Sequence, residues 1–214
     1  MSNIKYGLIS QTDARTLEAT IDLIHNHEKV GINITEIGLF NCGTAMGLVE
    51  YATSKGLVVK YTGIDNEKDK PVENIPQWMN FIKGNSNEVY NQIEDNSQHL
   101  IIVDGLHTFA GVVSDFFCYS QKVKVGGFIA FHDTGKHIDP LSGWQGVGFE
   151  NDPDFCLGGV RKALESIGLF GHIEFSYGEN RFEVSNSLSQ WLLISDEADP
   201  NDEAGGFTVF QKLY

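Results

Sequence analysis

Cysteine is scarce in this sequence and never closely spaced: Cys42, Cys118 and Cys156 are the only three, and none forms a C-x-x-C pair. An odd number at wide spacing gives neither a disulfide framework nor a zinc site, so all three are expected to be reduced. Long apolar runs are also lacking. Nothing approaches the roughly 20 residues that a membrane helix needs, and the N-terminal stretch has no basic segment followed by an apolar one. The expectation is a soluble, cytoplasmic protein that does not engage a membrane. Positive charge is short too, with 15 Lys and Arg against 29 Asp and Glu and a net charge of −14. Partners with phosphate backbones need clustered Lys and Arg to displace counterions, and no such cluster is visible. Nucleic acid is therefore not an expected partner; a small molecule is. A homo-oligomer is compatible with the sequence, which carries no signal of assembly.

What is present fits one globular unit. With 214 residues, of which 41% are hydrophobic and 21% charged, the chain can bury one sizeable core, so residues 1–214 are read as a single domain. Residues 14–29 place Leu17, Ile21, Leu23 and Ile24 at near-helical spacing, an N-terminal helical extension over 1–32. It ends in His25 and His27, which two residues apart face different sides of a helix and read as solvated positions. Short apolar runs then alternate with longer mixed segments. Runs at 34–39, 58–64, 81–83, 100–103 and 127–131 read as strands, with helices at 44–54, 87–94 and 111–121. That alternation predicts an α/β, Rossmann-like fold with a mostly parallel central sheet flanked by helices. Beyond Thr134 the texture turns Gly-rich and acidic, and 135–159 reads as a long loop on the acceptor side. A helix at 160–167 follows, then strand-like pieces near Ile173 and Phe182, at 191–194 and at 207–213. The acidic run 196–203 reads as a solvated loop between the last two strands.

The first strand runs into the loop Gly38-Leu39-Phe40-Asn41-Cys42-Gly43-Thr44, whose glycines permit a tight turn and close approach of a ligand to the backbone. Alone, such a turn is also an ordinary strand-to-helix connection. The next strand ends in Asp65, about 20 residues on, where a carboxylate can accept both hydroxyls of a ribose. Glu36 sharpens the reading. A carboxylate at the end of the first strand suits a cationic amino-acid moiety better than a dinucleotide pyrophosphate, and S-adenosylmethionine carries an ammonium and a sulfonium.

Further on, HLIIVDGLHTFAGVVSDFFCYSQKVKVGGFIAFHDTG gives a strand ending in Asp104, a helix, and a strand ending in His132 and Asp133. Ligands in open α/β sheets bind at the carboxyl ends of strands, so these groups should converge on one cleft, with His107 in the loop between them. His132 can equally be a core-edge histidine, Asp133 a turn or cap residue and His107 a plain loop residue. Asp115 is expected to be a solvated or capping position on its helix. His137, Asp139 and Trp144 are candidates for the acceptor pocket or for plain loop positions.

Together DGLH, Phe109, Asp115, the Gly126-Gly127 pair and the His132-Asp133 pair resemble the small class I S-adenosylmethionine-dependent methyltransferases. That family includes natural-product and sugar O-methyltransferases, and the resemblance runs from about Glu36 to Thr134. It implies Glu36 and Gly38 at the methionine moiety, with Phe40, Gly43 and Thr44 in the same cofactor loop, Asp65 at the ribose, and Asn85 and Ser86 near the adenine. Asp104 would serve both cofactor and metal. His132 and Asp133 would complete the metal site, with Thr134 the alternative third ligand, and His107 would be the general base. The implied reaction is O-methylation of a small polar, sugar or phenolic acceptor assisted by magnesium or manganese. Two departures stand out: Cys42 where many relatives carry glycine, and His132 where metal-dependent ones more often carry a carboxylate. A donor set with a histidine favours manganese, iron or zinc over magnesium. The alternatives are a metal-independent methyltransferase acting on an amine or carboxylate, and a non-catalytic cofactor-binding protein.

Overall fold

A computed structural model of the chain describes residues 4–7, 9–68, 71–134, 159–169, 173–177, 180–184, 190–197 and 206–214. The proposed acceptor-side loop, with His137, Asp139 and Trp144, lies outside them.

Helix α1 (Gln11–His27) starts at a capping box, in which the Ser10 side chain accepts the Asp13 N–H and the Asp13 carboxylate accepts the Ser10 N–H. It begins three residues earlier than its apolar periodicity alone indicates, because the cap fixes the first turn. Its Ala14, Leu17, Ile21 and Ile24 are buried in the main core, so this extension is packed into the body of the fold.

The chain then alternates strand and helix: β1 (Gly31–Ile37), α2 (Gly43–Ser54), β2 (Val58–Asp65), β3 (Met79–Lys83), α3 (Ser86–Val89), β4 (Gln98–Val103), α4 (Phe109–Tyr119), β5 (Val123–Phe131) and α5 (Gly159–Ser166). Strands β6 (Ile173–Tyr177) and β7 (Asn180–Val184) pair with each other, and β8 (Trp191–Glu197) and β9 (Phe207–Lys212) return to the main sheet. Its order is β3-β2-β1-β4-β5-β9-β8. The first five strands are parallel, while β9 runs antiparallel to both β5 and β8. This is the Rossmann-like sheet expected from the sequence, and its order reverses between β1 and β4. A crevice opens at such a switch point, beyond the carboxyl ends of the strands.

Side-chain alternation along the central strands builds a three-layer sandwich. On one face Leu100 and Ile102 of β4, with Phe128 and Ala130 of β5, meet the apolar sides of α1 and α2. On the other, Ile101, Val103, Ile129 and Phe131 meet α4 and α5. Burial on both faces explains why β4 reads as an unbroken apolar run.

The acidic run is not wholly a solvated loop. β8 continues through Asp196, whose carboxylate takes two bonds from Arg161 of α5, at 2.9 and 3.1 Å, and a third from Thr208. A bidentate guanidinium partner, invisible in sequence, holds that strand end in place. Among the described residues no helix is long and apolar enough to cross a membrane.

Candidate active site

Three strand ends are stitched together at the switch point. Gly38 N–H donates to Ile64 O at 2.8 Å, and Asp104 N–H donates to Ile37 O at 2.9 Å. Gly38 has φ +86°, and a Cβ there would stand 2.1 Å from the Asp104 carbonyl oxygen, so only glycine lets the ends of β1 and β4 meet. Phe40 (φ 46°) and Cys42 (φ 59°) are also left-handed. The departure at Cys42 thus falls where glycine would be relaxed, and the buried cysteine holds the helix-entry turn at a conformational cost of about 1 kcal/mol.

Glu36 is 2% exposed and accepts a 2.8 Å hydrogen bond from the Tyr61 hydroxyl. Burial pushes its carboxyl up to about 8, and the nearby Asp104 and Asp65 add to this, while Tyr61 and His132 oppose it. A buried acid so short of positive partners is suited to receive an ammonium group. Asp65 is aimed by the backbone: its two oxygens accept the Leu39 N–H at 3.0 Å and the Glu67 N–H at 2.7 Å. Thr44 is buried in the first turn of α2, next to Gly43, whereas Phe40 is 48% exposed at the rim.

Past β3, Asn85 precedes α3 with its side chain exposed and bonded to Asn66. Ser86 differs, because its hydroxyl donates to Asp115 Oδ1 at 2.5 Å while its carbonyl accepts the Tyr119 hydroxyl. Asp115 is accordingly not a solvated position. It is buried, its carboxyl is pushed up to about 6 by that burial, and it links α4 to the first residue of α3. Its place within the motif was the available signal; helix periodicity alone hid it.

At the ends of β4 and β5, alternating carboxylates and imidazoles come together. His107 Nε2 lies 3.1 Å from Asp104 Oδ1, and its Nδ1 lies 2.9 Å from Asp133 Oδ2. His132 Nδ1 lies 2.9 Å from Asp104 Oδ1 and 3.3 Å from Asp133 Oδ1. Asp133 reaches both rings from a left-handed backbone, φ 56°. Thr134, the alternative ligand, donates its hydroxyl to Gly206 O.

Electrostatics follow from this packing. Burial alone would lower His107, but the Asp104 and Asp133 carboxylates outweigh it and raise the ring to about 9. His132 is likewise raised well above its ordinary value against the opposing effect of burial, chiefly by Asp104. Burial would raise Asp104, yet His132 and His107 hold it far below the usual carboxylate range.

One ligand atom each from Asp104, His107 and His132 can be chosen within 4.8 Å of one another, a group that could hold a metal ion. Two nitrogens and a carboxylate oxygen suit manganese, iron or zinc better than magnesium, which favours oxygen. The second nitrogen of His107 faces Asp133, an outer-carboxylate arrangement usual around metal-bound histidines. The site also contains a residue that the sequence did not single out, Asp13 of α1, 3.5 Å from His132 Nε2. Its only sequence signal was the Ser10-x-x-Asp13 cap, which announces a helix start and nothing about the far side of the cleft.

Comparison with known proteins bears on the fold that carries these residues. Residues 35–134 match a family model described as a methyltransferase domain. No curated protein matches the sequence. Among solved structures the chain is similar to cofactor-bound Rv0187 from MTB, at 10% identity and a TM-score of 0.63, covering 99% of this chain and 84% of that one. It is similar to the O-methyltransferase from Bacillus cereus in complex with SAH, at 14% identity and a TM-score of 0.62, covering 98% and 85%. It is also similar to MycE methyltransferase from the mycinamycin biosynthetic pathway in complex with Mg and SAH, at 16% identity and a TM-score of 0.54, covering 95% of this chain and 55% of that one. Identities this low establish a likeness of fold. The motifs from Glu36 to Thr134 lie within the segment that matches a methyltransferase domain, and the strand order is that of the Rossmann-like fold shared with these structures.

Proposed function

We propose that the chain transfers the methyl group of S-adenosylmethionine to a hydroxyl of a small polar acceptor, such as a sugar or phenol, with a divalent ion assisting at the ends of β4 and β5. The observation that carries this reading is the Asp104–His107–His132–Asp133 cluster, placed one strand from Glu36 and two from Asp65. Glu36 would receive the ammonium of the cofactor and Asp65 its ribose hydroxyls. Ser86 and Asn85 would border the adenine.

An alcohol is a poor nucleophile until it loses its proton, and a divalent ion lowers its pKa while fixing it in line with the methyl group. Asp104 and His132 would hold that ion, with Asp133 or His107 as third ligand. With Asp133 as ligand, His107 Nε2 is left to accept the acceptor's proton; with His107 as ligand, Asp133 orients its ring through Nδ1. At neutral pH the metal-free ring carries its proton, and a nearby cation favours its release.

A second reading, metal-independent transfer, draws on the same cluster, because its carboxylates already neutralise both imidazoles. Incubation with isotopically labelled S-adenosylmethionine and a panel of sugars, phenols, amines and carboxylic acids separates these readings. Label on hydroxyl acceptors that is lost with chelator and restored by manganese supports the proposal. Turnover insensitive to chelator supports the metal-independent reading, and cofactor binding without transfer to any class contradicts both.

A further inference from the structure

The N-terminal helix reaches into the catalytic centre through Asp13. This carboxylate is 1% exposed, in the first turn of α1, yet it faces the end of β5 more than a hundred residues away in the chain. Its Oδ2 accepts the Ser10 N–H at 3.1 Å and lies 3.5 Å from His132 Nε2. Its Oδ1 and His132 Nε2 are both buried without a hydrogen-bond partner. Leaving such groups unpaired in an interior is costly, and a shift of a few tenths of an ångström would bring Oδ2 within hydrogen-bond distance of Nε2. The ring is fixed on its other sides by Phe207, whose centroid is 4.7 Å away, and by Asp104 and Asp133 at Nδ1.

We infer that Asp13 is a positioning residue for methyl transfer: it holds the Nε2–H of His132, sets that ring's tautomer and orientation, and so keeps Nδ1 turned toward Asp104 and the cleft. The centre thereby becomes symmetrical. Each imidazole offers one nitrogen to Asp104 and is held from behind by a second carboxylate, Asp133 for His107 and Asp13 for His132. A histidine anchored in this way presents a fixed lone pair or proton instead of a rotating one. The inference rests on the proposed role of the cluster, and α1 becomes part of the catalytic apparatus as well as of the core.

The Asp13→Asn variant tests it, since asparagine keeps size and the helix cap but loses the charge. Turnover should fall about 10- to 100-fold with the KM for S-adenosylmethionine unchanged. Ser10→Ala breaks the other half of the capping box, and it should lower the melting temperature but leave turnover as it is. Proton–nitrogen spectra of the histidine rings give a readout independent of activity. In the unsubstituted protein His132 should show a hydrogen-bonded, slowly exchanging Nε2–H, and in Asp13→Asn that signal should weaken or disappear. Its absence from the unsubstituted protein would overturn the inference even if the variant does not fold. So would unchanged turnover and spectra in Asp13→Asn, or an equal loss of turnover in Ser10→Ala. Failure of the methyl-transfer assay alone would count against the proposed function and leave the ring spectrum to decide the role of Asp13.

Discussion

Asp133 Oδ2 lies 2.9 Å from His107 Nδ1, which joins the end of β5 to the loop after β4 and leaves the other ring nitrogen facing Asp104. Asp133→Asn should therefore lower turnover about 10- to 100-fold, whether His107 acts as ligand or as base, because both roles need the ring held from behind. A steady-state comparison with cofactor affinity measured in parallel checks this. Unchanged turnover would mean that the contact serves only the fold.

His107, held by Asp104 and Asp133, makes stability depend on pH. His107 is raised from its ordinary 6.5 to about 9, so its contribution to stability is fully present below the unfolded value and disappears as pH rises through about 9. Melting temperature in chelator should fall between pH 6.5 and 9.5, and His107→Gln should flatten part of that slope. An equal slope in the variant would place the titrating group elsewhere.

Glu36 gives a proton-linked prediction for the cofactor. With its carboxyl raised to about 8, it enters neutral solution largely protonated, and an arriving ammonium favours the ionised form. Binding of S-adenosylhomocysteine at pH 7 should release a proton, seen as a binding enthalpy that varies with the ionisation enthalpy of the buffer. Glu36→Gln should remove that dependence. It should also raise stability at pH 9, where the parent must keep an ionised carboxylate buried.

Gly38→Ala tests the junction of the strand ends. A Cβ placed 2.1 Å from the Asp104 carbonyl, at φ +86°, forces β1 and β4 apart. The expected loss is about 3 kcal/mol or more in chemical denaturation, together with loss of cofactor binding. A variant of parental stability would show that the turn can relax without cost.

The strands and the helices α2 and α4 were readable because each carries its own periodicity, and β4, buried on both faces, announces itself as an apolar run, whereas the helix expected at 87–94 is one short turn, Ser86–Val89, followed by a 3-10 turn at Tyr90–Gln92. So was the convergence of Asp104, His107, His132 and Asp133, since carboxyl ends of neighbouring parallel strands share one crevice. What the sequence withheld depends on tertiary contact. Nothing local shows that Asp115 turns inward to Ser86, that Arg161 grips Asp196, or that a capping residue, Asp13, stands behind His132. Cys42 lies between these cases: its oddity was visible, but its left-handed backbone was not.

One crevice is proposed to join a cofactor site at Glu36 and Asp65 to a reaction centre at Asp104 and His107. Calorimetric titration with S-adenosylhomocysteine across variants tests this joined site. Binding is expected at micromolar concentration, with loss of most of that affinity in Asp65→Ala and near-parental affinity in a His107→Ala variant that has lost turnover. Absence of binding to the parent at high micromolar ligand, or an Asp65→Ala variant that binds as the parent does, would contradict it.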